Sequence, residues 1–329
     1  MNIYEIAKKA GVSIATVSRV LNNSPNVKQE THEKVELVLK EANYTVNDIA
    51  RSLATSATNT IGVLTSDVRD SYYANAIYTI EYRFQSLGYN VILSNTGGEL
   101  GRKKTYLNIL LQKKVDGIIL VGSVFKERFD NSHILKAAQH VPVVMLNGYL
   151  EGNNIYSIVC DDAYATFNIV KHLHSKGYKD IVYFYDVESF SGLAKLQGFQ
   201  KGLEDCFGKF DSPTVYQVES GIKGGYSGIA ALESKGKKYT AVVCSDDLIA
   251  AGAIKKLREI GKEIPEDVGV TGFNNSLISN CTYPELFTVD NKVGDMACMA
   301  VDILYKVLKG EDLSNSYTVK PELIIRASC

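Results

Sequence analysis

The sequence has no excess of either charge. It contains 36 lysines and arginines against 37 aspartates and glutamates, for a formal net charge of −1. So balanced a chain has no overall field that would attract nucleic acid or an anionic membrane, and any polyanion must be bound by a local patch. The charge balance of residues 1–57 is close to that of the whole chain, with seven basic side chains against six acidic ones. Charge alone therefore does not identify a nucleic-acid-binding protein.

Paired cysteine motifs and long apolar runs are also missing from the sequence. The cysteines are scattered and form no C-x-x-C motif: Cys160, Cys206, Cys244, Cys281, Cys298 and Cys329. This pattern fits reduced thiols in the cytosol better than a disulfide framework or a zinc site. No apolar run reaches membrane length, and the N-terminus lacks the apolar core of a signal peptide. We expect a cytoplasmic protein without a bound metal.

Motifs for catalysis or cofactor binding are absent as well. The stretches "NTGGELG" and "GIKGGYSG" lack the pattern of a phosphate-binding loop, and we expect turns and helix caps there. The pairs Asp161–Asp162 and Asp246–Asp247 could bind a metal or act as acid and base, but the commoner use is to cap a following helix. No G-x-S-x-G motif or Cys–His signature appears. The sequence thus gives no positive sign of an enzyme or of a cofactor.

Most of the chain alternates short apolar strands with longer helical patterns, and 329 residues suffice for two or three domains. The predicted strands are "TIGVLTS", "YNVILSN", "VDGIILVG", "VPVVMLN", "YSIVCDD", "KDIVYFYD", "TVYQV", "TAVVCSD", "VGVTGFNN" and "LFTVDN". Continuous β-branched runs are typical of parallel strands buried on both faces. Ten strands exceed one ordinary open sheet, which favours two Rossmann-like lobes.

The first residues follow a different pattern. In "GVSIATVSRVLNN", Ser13 is a good N-cap for a helix that places Val17, Val20 and Leu21 on one stripe and small polar residues on the other. The preceding "NIYEIAKKAG" reads as another short helix, with Asn2 as its cap and Gly11 as its stop. Two short helices joined by a tight turn are either an α-hairpin in a core or a helix-turn-helix.

The continuation decides in favour of the helix-turn-helix. "QETHEKVELVLKEANY" predicts a third amphipathic helix. The whole stretch "IYEIAKKAGVSIATVSRVLNNSPNVKQETHEKVELVLKEANYTVNDIARSLAT" resembles the headpiece of the LacI/GalR (lactose-repressor/galactose-repressor) family of bacterial transcriptional regulators. The "VSxxTVSRVLN" core and the later "N-x-x-A-R-S-L" carry this resemblance.

The resemblance implies an α/β architecture with a three-helix headpiece and a hinge helix at 1–57, followed by an effector-binding and dimerisation domain at 58–329. This body has the two-lobed, periplasmic-binding-protein-like (type I) fold with parallel sheets. We expect the first lobe at about 60–158 and 290–318 and the second at about 159–288 and 319–329. The chain would then cross between the lobes three times, with the ligand in the cleft.

DNA contacts are expected on the recognition helix and on the hinge helix Asn47–Thr55. Arg19 is the best candidate for a base edge, and the resemblance implies that Leu53 enters the minor groove as a wedge. Leu53 could instead pack on its own headpiece, and Val46 stands where the family usually has proline. The predicted DNA-binding residues are Tyr4, Ser13, Ala15, Thr16, Ser18, Arg19, Asn22, Asn47, Ala50 and Leu53.

Polar and aromatic side chains follow the strands at the edge where open α/β sheets bind ligands. The predicted effector-binding residues are Ser66, Tyr72, Tyr73, Asn147, Asp161, Lys195, Asp246 and Asn274. Three of them depart from the family pattern: Lys195 replaces the usual arginine, Asp246 an asparagine, and Asn274 an aspartate. A lysine offers a point charge where arginine offers a bidentate clamp. These departures leave the chemical identity of the effector open.

These features predict a homodimeric repressor that leaves pseudo-palindromic operator DNA when a carbohydrate or sugar phosphate binds. A sugar-binding transport protein would share the body but would need export. A catabolite control protein would need a patch for the phosphorylated phosphocarrier protein HPr, and Asp302 stands where that protein presents an arginine. Both alternatives have less support in the sequence.

Overall fold

A computed structural model of the chain describes residues 1–21, 24, 26–42, 58–208 and 214–329. These residues form two compact units, Met1–Thr58 and Asn59–Cys329. Four of the predicted DNA-binding residues lie outside the described residues, namely Asn22, Asn47, Ala50 and Leu53. Within the described ranges, no helix is both long and apolar enough to span a bilayer.

The described part of the first unit contains three helices, α1 (Ile3–Ala10), α2 (Ile14–Leu21) and α3 (Gln29–Glu41). The predicted caps of α1 are confirmed: the Asn2 side chain accepts from the backbone of Glu5, and Gly11 ends the helix with φ 66°. This left-handed conformation favours glycine. The core of the unit is aliphatic, with Ile6, Ala10, Val17 and Val35 wholly buried. A core this small leaves most polar side chains at the surface.

The elements of the second unit follow the predicted alternation. The first half contains β1 (Thr60–Thr65), α4 (Ser71–Ser86), β2 (Asn90–Asn95), α5 (Leu100–Gln112), β3 (Gly117–Val121), a 3₁₀ turn (Ser123–Phe125), α6 (Ser132–Ala138), β4 (Val143–Leu146) and β5 (Ile155–Cys160). The next stretch contains α7 (Asp162–Ser175), β6 (Ile181–Tyr185), α8 (Phe190–Phe207), β7 (Val215–Gln217), α9 (Ile222–Ser234), β8 (Ala241–Cys244) and α10 (Asp247–Glu259). The last stretch contains β9 (Gly269–Thr271), α11 (Leu277–Cys281), β10 (Thr288–Asp290), α12 (Val293–Leu308), β11 (Ser316–Val319) and β12 (Glu322–Ile324).

The strands form two parallel sheets and one antiparallel pair. The first sheet has the order β11-β5-β4-β3-β1-β2, the second has the order β7-β6-β8-β9, and β10 pairs with β12. Apolar clusters cover both faces of each large sheet. The prediction of parallel strands buried on both faces is therefore confirmed for the two large sheets, whereas the predicted strand "LFTVDN" (β10) pairs with β12 in antiparallel orientation.

We call the first sheet with α4–α6 and α12 the first lobe, and the remaining elements of the second unit the second lobe. The chain leaves the first sheet after β5, returns through β10 to α12, and leaves again after β11. The strands β11 and β12, at 316–319 and 322–324, were not predicted from the sequence.

One glycine-rich stretch agrees with its prediction only in part, since Gly221 is the N-cap of α9 as expected. We expected turns and caps in "GIKGGYSG", yet Gly225 lies inside α9, where it meets α10. A Cβ atom at Gly225 would lie 1.8 Å from the carbonyl oxygen of Ile249, and one at Gly252 of α10 would lie 1.9 Å from that of Ile222. These glycines therefore allow two helices to pack backbone to backbone.

Candidate DNA-binding and effector-binding sites

Helix α2 presents a small polar surface. Val17 and Val20 face the core, whereas Ala15 and Arg19 are exposed and Thr16 and Ser18 are partly exposed. The predicted N-cap is confirmed, because the Ser13 hydroxyl accepts a hydrogen bond from the backbone N–H of Thr16 at 3.1 Å. On α1, Tyr4 is 68% exposed. This face can approach DNA closely, with one guanidinium for a base edge and hydroxyl groups for phosphates.

A cleft of about 980 Å³ lies between the two lobes, at the carboxyl ends of the strands. Seven of the eight predicted effector-binding residues line it: Ser66, Tyr72, Tyr73, Asn147, Lys195, Asp246 and Asn274. The sequence did not predict the further lining residues Asp70, Ser123, Asp186, Ser189, Ser191 and Ser245. Asp186 follows β6, so the same strand-end rule could have found it.

The first lobe contributes aromatic rings and an amide on fixed backbone. The Asp70 carboxylate caps α4 by accepting from the Tyr72 backbone N–H at 2.8 Å. Tyr72 and Tyr73 in the first turn pack edge to face, with ring centroids 5.2 Å apart. Asn147 follows β4 in the left-handed region at φ 59°, and its Oδ1 accepts from the Cys160 backbone N–H at 3.1 Å. Asparagine tolerates this conformation better than most residues.

In the second lobe, Lys195 is held beneath the cleft. Its ammonium donates to the carbonyl oxygen of Ser245 at 2.9 Å and lies 3.7 Å from the centre of the Phe273 ring. Only 8% of the residue is exposed. A carbonyl oxygen and an aromatic face are both favourable partners for an ammonium, which explains how the charge is held there.

Asp246 and Asn274, two of the departures from the family pattern, bind each other. Asp246 caps α10 by accepting from the Leu248 N–H at 2.7 Å, and its other oxygen accepts from Asn274 Nδ2 at 2.8 Å. Asn274 Oδ1 in turn accepts from Asn291 Nδ2 at 2.8 Å. The exchanged acid and amide therefore still form a matched donor–acceptor pair. Burial, followed by the charge of Asp247, raises the pKa of Asp246 to about 7.

The structure places the predicted effector-binding residue Asp161 outside the cleft lining. Its exposed side chain caps α7 by accepting from the Tyr164 N–H at 3.0 Å. The neighbouring Asp162 is the buried one, at 2% exposure, and accepts from the Ser191 hydroxyl. Neither aspartate belongs to the residues that line the cavity, and Asp162 is connected to it only through Ser191, which does line it.

The second acidic pair also serves to cap and to brace. Asp247 is wholly buried and accepts hydrogen bonds from the Ser276 N–H at 2.7 Å and the Thr288 hydroxyl at 2.6 Å. Among the described residues no group of histidine, cysteine or acidic side chains could hold a metal ion. The commoner of the two roles considered for these pairs, capping, is therefore the observed one for Asp161 and Asp246.

The two lobes also touch directly across the cleft. The Ser123 hydroxyl of the first lobe donates to the Ser189 hydroxyl of the second at 2.9 Å. Both serines line the cavity. A ligand in the cleft is thus surrounded by side chains from two bodies whose separation it can influence.

Comparison with known proteins identifies both units. Residues 2–47 match the family model of bacterial regulatory proteins of the lacI family, and residues 170–329 match a periplasmic binding protein-like domain. The chain is 42% identical over 328 residues to an HTH-type transcriptional regulator of Lachnoclostridium phytofermentans, covering 99% of this chain and 98% of that one. It is 33% identical over 331 residues to catabolite control protein A of Priestia megaterium, covering 98% and 97% of the two chains.

The fold agrees with these relatives. The crystal structure of the Lac repressor dimer bound to operator and the anti-inducer ONPF matches with a TM-score of 0.89 and 26% identity, covering 100% of this chain and 98% of that one. A helix-turn-helix unit and a two-lobed effector-binding body therefore occur here in the family's order. The chain belongs to the LacI family of bacterial DNA-binding transcriptional regulators, which are not enzymes.

Proposed function

We propose that this protein is a homodimeric repressor that acts in the cytosol and is released from its operator by a sugar-type effector. The observation that carries this proposal is the cleft, in which residues of both lobes surround a cavity of about 980 Å³. Hydroxyl, amide and carboxylate groups next to the Tyr72 and Tyr73 rings suit a polyhydroxylated ligand. The Lac repressor, a structural relative, is seen as a dimer with operator and a small molecule.

The DNA side of the proposal rests on the exposed face of α2. We assign Arg19 to a base edge and Tyr4, Thr16 and Ser18 to phosphates or mixed contacts, with Ser13 and Ala15 at the start of the helix. A single headpiece buries little surface, so specific binding needs two of them on a pseudo-palindrome.

The surface of the first lobe offers a place for the dimer contact. Tyr78 and Tyr82 on α4 are 71% and 60% exposed, and their rings stack with centroids 6.2 Å apart. Exposed aromatic pairs are common anchors of protein interfaces. We assign this pair to the contact between the first lobes of two protomers.

The catabolite-control alternative has one observation against it. Asp302, which stands where such a protein presents an arginine, is paired with Arg83 at 2.8 Å. A carboxylate in that position repels a phosphorylated partner. Control by a small molecule in the cleft therefore has the stronger support, although catabolite control protein A is among the relatives.

The experiment begins with selection of bound duplexes from a random library by the full-length protein. It should return a pseudo-palindrome, which is then titrated with sugars in a fluorescence anisotropy assay. Protein lacking residues 1–57 should lose operator binding and remain a folded dimer. Specific operator binding by the shortened protein would contradict the assignment of the headpiece, and a sugar that strengthens binding would make the effector a corepressor.

A further inference from the structure

The cleft is lined by many more acids than bases. Among the residues that the structure describes, its carboxylates are Asp67, Asp70, Glu99, Asp186 and Asp246, and the cations lining it are Arg69 and Lys195. These acids come from both lobes. Their formal charge exceeds that of the two cations by three units. A cavity with low-dielectric walls focuses such a field on whatever enters it.

Both cations are already paired within the protein. The Arg69 guanidinium binds Asp67 in a bidentate manner, with distances of 2.9 Å from Nε and 2.6 Å from Nη2. Lys195 donates to the Ser245 carbonyl oxygen at 2.9 Å. Its charge also lowers the pKa values of four neighbouring carboxyl groups, against the larger effect of their burial: Asp70, Asp162, Asp246 and Asp247. Each cation therefore has a partner within the protein before a ligand binds.

Carboxylates of opposite lobes face each other across the cleft. Burial first, and then the negative charges of Asp67 and Asp186, raise the pKa of Asp70. The charge of Asp70 likewise contributes to the raised pKa of Asp246, after burial and Asp247. Since Asp70 belongs to the first lobe and Asp186 and Asp246 to the second, their repulsion opposes a closed cleft.

A ligand can relieve this repulsion only if it donates hydrogen bonds or carries positive charge. Hydroxyl groups donate to carboxylates, and an ammonium group also neutralises them. A phosphate or carboxylate would add negative charge to a partly dry cavity, where unpaired like charges are costly.

Resting on the proposed function, in which this cleft binds a sugar, we propose that the effector carries neither a phosphate nor a carboxylate group. It is an uncharged sugar or an amino sugar, held by hydrogen bonds donated to Asp70, Asp186 and Asp246. Of the two ligand classes that the sequence left open, a sugar and a sugar phosphate, the cleft therefore selects the sugar. It assigns Lys195 to the protein's own carboxylates and not to a ligand phosphate.

The first test needs no knowledge of the natural effector. Inorganic phosphate is titrated by calorimetry against the full-length protein at constant ionic strength. Wild type should bind it at least about tenfold more weakly than the Asp70→Asn/Asp186→Asn variant, in which asparagine still caps α4 and two cleft charges are gone. The matched control is Glu311→Gln/Asp312→Asn, which removes two exposed charges outside the cavity and should behave as wild type. Equal phosphate affinity in wild type and the cleft variant would overturn the proposal.

The second test uses thermal unfolding with sugars in matched sets. Glucose, cellobiose and lactose are each compared with a phosphorylated and an amino derivative, and glucuronate is added. Every compound that raises the midpoint should be uncharged or amine-bearing, and its phosphate should bind at least about thirtyfold more weakly. A phosphate or uronate that binds more tightly than its parent would refute the inference. Failure of the proposed function would give a different result. Sugars would bind in the cleft with the expected charge preference, but operator binding would not change.

Discussion

The recognition face of α2 and the cleft between the lobes hold their functional side chains in opposite ways. On α2, Arg19 and Ala15 are exposed on a small aliphatic core. In the cleft, Lys195, Asp246 and Asn274 are bound to other protein groups at 2.8–2.9 Å before any ligand arrives. Recognition side chains that have no role in packing can change without affecting the fold. Cleft side chains belong to a hydrogen-bond network, so a substitution there changes the effector affinity and the stability of the fold together.

The largest effect on binding should come from the exposed face of α2, where a side chain can contribute to DNA binding without contributing to stability. Arg19→Ala should weaken specific operator binding by about 10- to 100-fold, because a bidentate contact with guanine is worth ~1–3 kcal/mol. The midpoint of thermal unfolding should stay near that of wild type, since the side chain is exposed. Anisotropy on operator and on random duplex measures both affinities, with Lys8→Ala as a charge-matched control. Equal losses on the two duplexes would make Arg19 a phosphate contact.

The second-largest effect should combine a loss of effector affinity with a loss of stability. Asp246→Ala removes the N-cap of α10 and leaves Asn274 Nδ2 without its acceptor. Loss of such a partner costs ~1–3 kcal/mol, so we expect effector affinity to fall by roughly tenfold or more. Operator binding without effector should stay close to wild type. Titrating the effector against both proteins on one operator fragment measures this, and an unchanged effector response would place the site elsewhere.

The sequence predicted the interior of the body better than its edges. Ten strands were found because apolar runs such as "GIILV" in β3 are wholly buried, and burial leaves a clear signal. β11 and β12 were not predicted because "SYTV" and "ELI" are short and contain no buried position. The cleft was predicted in outline by the strand-end rule. That rule does not tell which side chains at a strand end face the cavity: Asp161 caps α7, Asp162 is buried against Ser191, and neither lines the cleft.

A pH-dependent effect should follow from the buried acid of this network. The pKa of Asp246 is raised from 3.8 to about 7, so between these values the folded protein holds a proton that the unfolded chain has released. The free energy of unfolding therefore falls as the pH rises through this window. Asp246→Asn removes the titrating group and keeps a good N-cap. From about pH 5 to about pH 8, the free energy of unfolding of wild type should therefore fall by ~1–2 kcal/mol relative to that of the variant. Urea unfolding at both pH values measures it, and parallel profiles would mean that Asp246 ionises normally in the folded protein.

The smallest effect should come from the aspartate that lies outside the cleft. Asp161 is exposed and caps α7 through the Tyr164 N–H at 3.0 Å, as Asp246 caps α10 through the Leu248 N–H at 2.7 Å. Asp161→Ala should therefore cost ~1 kcal/mol of unfolding free energy, the usual value of an N-cap. Effector affinity should not change, because no polar partner in the cleft is lost. Calorimetric titration and urea unfolding should be carried out on Asp161→Ala and Asp246→Ala together. The comparison distinguishes an aspartate that only caps its helix from one that also binds the ligand. A loss of effector affinity in Asp161→Ala matching that of Asp246→Ala would return Asp161 to the binding site and show that the cleft extends to the start of α7.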